Sequence, residues 1–118
     1  MFKKTLKSFG FAWQGIVYAF KTQRNFRFHL FAAALVVLSS LYFDIKTYEW
    51  LAILFCVALV LFAELVNTSI ESIVDLVSPE YNDLAKIAKD TSAASVLVLA
   101  FFSAVVGLLV FVPYIIEL

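Results

Sequence analysis

The chain has 118 residues, 64% of them hydrophobic and only 15% charged, with a formal net charge of zero. Its mean hydropathy is +0.96. Soluble domains average about 45–50% apolar and about 25% charged residues, so there are too few polar side chains here to cover a water-facing surface. Composition therefore excludes soluble, disordered and nucleic-acid-binding classes. It points to one all-α membrane domain over residues 1–118, with room for three spans of about 20 residues each. A lone cysteine, Cys56, leaves no internal disulfide and no Cys-based metal cage.

Residues 2–20 read as an amphipathic helix. Phe2, Leu6, Phe9, Trp13, Ile16 and Phe20 recur at helical spacing and fall on one stripe at about 100° per residue. Lys3, Lys4, Lys7 and Gln14 lie opposite. A basic, aromatic helix of this kind ahead of a span lies in the membrane interface. Phe11 and Tyr18 break the pattern by projecting among the lysines. They read either as interfacial anchors or as an aromatic platform for a ligand base beside cations that hold its phosphates. Residues 21–27 read as a polar hinge and 28–43 as the first span. Arg27 is expected to snorkel at its end, and His29 lies at its border, either bonding locally or serving as a ligand.

Residues 44–49 read as a short turn, and 50–77 as one long helix that carries no charge before Glu64. At about 1.5 Å per residue it crosses the hydrocarbon and continues into the interface. Ser78-Pro79 stops it, since a residue before proline leaves helical geometry. Residues 78–90 read as a polar connection and 93–116 as the third span. There Ser103 and Gly107 form a small-xxx-small pair suited to close helix packing. Eight lysines and arginines fall on one side of this layout, and only Lys46 falls on the other. The amino terminus and the 78–90 connection are therefore expected on the cytoplasmic side.

The chemistry concentrates on Glu64, Asn67, Glu71 and Asp75, whose spacing of 3, 4 and 4 places them on one helix face. Ionisable groups at membrane depth are costly and mark functional sites. Three carboxylates on one stripe repel unless a cation joins them, either a hard divalent ion with oxygen ligands or the lysines Lys86 and Lys89. Metal–phosphate chemistry and an ion pathway both fit such a stripe. Asp75, and to a lesser degree Glu71, also reads as a charge at a solvated helix end. Glu64 does not, because it follows a long uncharged run.

The segment ELVNTSIESIVD (64–75), with SPEY (78–81), AKD (88–90) and NFRFH (25–29), closely resembles the signature of the bacterial diacylglycerol kinase/undecaprenol kinase family. With the amphipathic helix and three spans, the resemblance covers nearly the whole chain. It implies a homotrimeric helical bundle in the bacterial inner membrane that moves the γ-phosphate of ATP to a lipid alcohol, with active sites near the cytoplasmic interface shared between subunits. By motif position, Glu64 is then the base for the lipid hydroxyl, and Asn67 positions that region. Glu71 becomes a Mg²⁺ ligand, and Lys89 and Asp90 the phosphate clamp. Glu80, Tyr81 and Asn82 contact the nucleotide, as do Lys4 and Phe11. Gln23 stands where many members carry a second acidic metal ligand; an amide oxygen ligates Mg²⁺ without adding charge. RNFRFH resembles the undecaprenol branch somewhat more than the diacylglycerol branch. A non-enzymatic, ion-conducting or scaffold subunit is the reading from another class, and it gives no purpose to Lys89-Asp90, SPEY and the basic aromatic helix together.

Overall fold

Four helices and no strand make up the fold in a computed structural model that describes residues 1–118: α1 (Phe2–Thr22), α2 (Arg24–Phe43), α3 (Thr47–Val77) and α4 (Asp83–Ile116). Three of them, α2, α3 and α4, are long and apolar enough to cross a membrane. The architecture is that of an all-α membrane protein, with α1 as the amphipathic fourth helix.

The connections are tighter than the sequence predicts, and each has a local cause. The hinge expected over 21–27 contracts to Gln23 alone, which sits in extended geometry between α1 and α2. Arg27 is folded onto the end of α1. Its guanidinium turns back and donates to the carbonyls of Phe20 (2.6 Å) and Lys21 (3.3 Å), satisfying acceptors that the end of α1 would otherwise leave unpaired. The turn expected over 44–49 shortens to Asp44–Lys46 because the Glu49 carboxylate accepts from the Lys46 backbone N–H at 3.0 Å, which starts α3 at Thr47. Asp44 takes the left-handed conformation that ends α2, one that aspartate tolerates.

The connection expected over 78–90 is only residues 78–82. Asn82 caps α4, its Oδ1 accepting from the backbone N–H groups of Leu84 (2.9 Å) and Ala85 (3.3 Å). Residues 83–90 are polar but include good helix formers such as Leu, Ala and Lys, so they become the first turns of α4 and stand beside the end of α3.

Only 13 of the 118 residues are buried within the chain, while Leu and Phe side chains are exposed along every span. Apolar exposure on this scale needs lipid or further copies to cover it. The small apolar core lies at the α2–α3 turn, where Ile45, Ile53 and Val110 pack with Phe43 and Trp50. At the opposite end α1 approaches α3. Ala19 is buried, and Ala12, Gly15, Ile16 and Tyr18 line a cleft with Leu65 and Thr68. The aromatic stripe of α1 stays outside. Ser103 and Gly107 close no helix pair within the chain; they floor an open apolar groove of about 280 Å³ between α2, α3 and α4, with His29 among its lining.

Candidate active site

The polar half of α3 faces α2 and α4, and its residues change in burial along the helix. Glu64 is deepest, 2% exposed. The Thr68 hydroxyl, one turn on, donates to the Glu64 backbone carbonyl at 2.9 Å. The Glu64 side chain is not satisfied: Oε1 is buried and accepts no hydrogen bond. His29 Nε2 on α2 lies 3.3 Å from that oxygen, without the alignment of a formed bond.

One turn further on, Asn67 is 8% exposed and fixed by α4. The Ser92 hydroxyl, on a residue 6% exposed, donates to Asn67 Oδ1 at 2.7 Å. This is the buried side-chain hydrogen bond that ties α3 to α4 at the depth of the site. Glu71 follows, half-buried and paired with no lysine or arginine. Asp75 ends the stripe. It is exposed, but it is not a loose charge at a solvated helix end, because Lys89 Nζ reaches across from α4 to bond it. The lysine that the sequence offered to offset the carboxylates thus engages the outermost one.

Asp75, Glu80, Tyr81, Asn82, Lys89 and Asp90 line one shallow cavity of about 350 Å³ at this end. Lys89 and Asp90 point to different partners within it. Lys89 turns to α3, while Asp90 pairs with Lys86 one turn back on α4. The Tyr81 hydroxyl donates to Asp83 at 2.8 Å, which holds the phenol proton and pushes its pKa above the ordinary 10.0. Asn82 already spends its amide oxygen on the α4 cap. The chain does not bring Lys4, Phe11 or Gln23 into this cavity. Lys4 and Phe11 are exposed on α1, and Gln23 is half-buried at the α1–α2 corner.

No three His, Cys, Asp or Glu side chains converge as a ready-made metal cage. Glu71, half-buried and without a cationic partner, nevertheless fits one contact to a hard cation that brings its own oxygen ligands. The sequence reading left His29 as a local bond or a ligand and did not name Ser92. Beyond the first turn of α2, His29 is the only residue among His, Lys, Arg, Asp and Glu, and that isolation was the available signal. Ser92 sits in a serine-containing run (TSAAS) that carries no distinguishing mark in one dimension.

Residues 10–111 match the family described as prokaryotic diacylglycerol kinase. The chain belongs to the prokaryotic diacylglycerol kinase family. It is 42% identical over 116 residues to a diacylglycerol kinase of Synechocystis, covering 96% of this chain and 65% of that protein. It is 40% identical over 107 residues to the undecaprenol kinase of Bacillus subtilis, covering 91% and 87%. It is 31% identical over 97 residues to the diacylglycerol kinase of Escherichia coli, covering 82% and 80%. The match to the diacylglycerol kinase family takes in α2, α3 and every site residue named above except Lys4.

Proposed function

We propose that this member of a lipid-kinase family moves the γ-phosphate of ATP to the hydroxyl of a membrane lipid alcohol. The observation that carries the reading is the Glu64 carboxylate, buried at membrane depth with an oxygen that accepts no formed hydrogen bond. Such a group is costly unless it is used. Glu64 takes the proton of the lipid hydroxyl as the hydroxyl oxygen attacks the γ-phosphorus. The bond from that phosphorus to the β–γ bridging oxygen breaks, and ADP leaves with the electron pair. A transfer of this type depends on positioning and charge neutralisation more than on covalent chemistry.

The remaining residues supply those two things. Asn67, clamped by Ser92, fixes the turn of α3 next to Glu64. Lys89 holds nucleotide phosphates, with Asp90 and Lys86 paired beside it. Glu80, Tyr81 and Asn82 border the nucleotide, and Lys4 and Phe11 contribute from α1, as the basic aromatic pattern of that helix suggests. Mg²⁺ would be held by Glu71, with Gln23 as a weaker second contact, and when bound it would neutralise phosphate charge. The bare apolar faces of the three spans support assembly into the homotrimer that the family resemblance implies. The crowding of lysine and arginine at the site's end of the bundle supports a cytoplasmic active site in the bacterial inner membrane.

The relatives' names divide between undecaprenol and diacylglycerol at similar identity. RNFRFH at 24–29 favours undecaprenol as acceptor, with diacylglycerol the second candidate. Phosphate transfer from ATP in mixed micelles, with Mg²⁺ and each lipid offered separately, tests the reading. Wild-type protein is expected to phosphorylate undecaprenol, and Glu64→Gln to make no product while still binding nucleotide. A wild-type activity that survives in Glu64→Gln would remove Glu64 from the reaction.

A further inference from the structure

The orphaned oxygen of Glu64 has one polar neighbour on another helix. His29 projects from α2 so that Nε2 stands 3.3 Å from Glu64 Oε1. No lysine or arginine pairs with that carboxylate. The other polar groups nearby are occupied or unsuited. Asn67 gives its oxygen to Ser92 and its amide nitrogen makes no bond to Glu64, Thr68 spends its hydroxyl on the Glu64 carbonyl, and Glu71 is a like charge. The imidazole is itself braced. Its ring meets Phe28 edge-on, with centroids 5.5 Å apart and planes at 79°. It also lines the head of the apolar groove between the three spans.

A carboxylate that takes a proton from a bound hydroxyl has two equivalent oxygens. If neither is fixed, the group rotates away from the reacting geometry for part of its time. Orienting partners remove that freedom, and a misplacement of about 1 Å costs on the order of 10²-fold in rate. We infer that His29 is the positioning residue for Glu64: its Nε2–H donates to Oε1, and Oε2 is thereby turned toward the lipid hydroxyl. A small rotation of the imidazole or the carboxylate completes the bond from the distance observed. The hydroxyl proton ends on Glu64. The inference rests on the assignment of Glu64 as base.

The experiment compares His29→Ala, His29→Met and His29→Gln with Glu64→Gln and wild type, reading kcat and the KM values for ATP and lipid separately. Glutamine carries an N–H at nearly the reach of Nε2, whereas methionine fills the space without a donor. Loss of the donor is expected to lower kcat on the order of 10²-fold with the KM for ATP unchanged, and His29→Gln is expected to recover most of the rate. Methionine tests the point if alanine fails to fold. Wild-type kcat in His29→Met, or a glutamine variant as slow as the methionine variant, overturns the inference while leaving Glu64 in place. A fully active Glu64→Gln overturns the base assignment, and the role of His29 with it.

Discussion

The hydrogen bond from Ser92 to Asn67 makes a quantitative claim about what joins α3 to α4. Both side chains are more than nine-tenths buried, and the bond is 2.7 Å long. Removing one partner strands the other: Ser92→Ala leaves Asn67 Oδ1 without its donor, and Asn67→Ala leaves the serine hydroxyl without its acceptor. Each orphan costs about 1–3 kcal/mol. Removing both strands neither, so the double variant should lose less than the two singles together. Side-chain hydrogen bonds between membrane helices couple by about 0.6 kcal/mol on average and up to about 1.7 kcal/mol. The depth of this pair places it in the upper part of that range, about 1–1.7 kcal/mol. The measurement is reversible unfolding of all four proteins in micelles titrated with a denaturing detergent, at one fixed protein concentration because any assembly enters the apparent stability. The same proteins assayed for phosphate transfer should show Ser92→Ala lowering kcat with little change in the KM for ATP, since Asn67 lies one turn from Glu64. Additivity of the two substitutions within about 0.3–0.5 kcal/mol, the scatter expected of independent sites, would refute the claim that this bond clamps the site.

Three further outcomes follow from the same geometry. Lys89→Ala breaks an exposed ion pair, worth about 1 kcal/mol at most, so it should raise the KM for ATP many-fold while barely moving the unfolding midpoint; equal damage to both would make Lys89 a structural residue. Asn82→Ala removes the α4 cap and should cost about 1 kcal/mol, with Asn82→Asp or Asn82→Ser restoring stability in the same detergent titration. Gln23→Glu should lower the Mg²⁺ concentration that gives half-maximal transfer, and an unchanged value would place Gln23 outside the metal's reach.

The order and type of the helices were readable because apolar runs and a helical stripe are one-dimensional signals. Their ends were not. Arg27 folding back onto the carbonyls of α1, Glu49 bonding to the Lys46 backbone and Asn82 capping α4 each involve a polar residue that one dimension reads as hinge or turn. These side chains consume backbone groups that would otherwise need water, so the helices run further into the polar segments than composition suggests. The acidic stripe was readable from its spacing on α3. What faces it was not, since the His29–Glu64 and Ser92–Asn67 approaches join residues distant in sequence. Lys89 was named, but its engagement with Asp75 rather than Glu71 depends on α4 starting at Asp83.

Depth along α3 also orders the proposed chemistry. From Glu64 to Asp75 is eleven residues (75 − 64), a rise of about 16 Å at 1.5 Å per residue. Glu64 lies at the buried end, where a lipid hydroxyl can arrive without leaving the hydrocarbon. Lys89 reaches Asp75 at the polar end, where a nucleotide can arrive without entering it. Glu71 stands between them, about 10 Å above Glu64 and about 6 Å below Asp75, half-buried and unpaired. A phosphate chain laid along this face from Lys89 toward Glu64 must pass Glu71, and two anions meet there at low dielectric cost only if a cation joins them. Glu71 forms no ion pair of its own, so under the proposed mechanism it is the carboxylate left for a metal–phosphate group, and a lysine introduced one turn away, at Val74, should compete with Mg²⁺ for it.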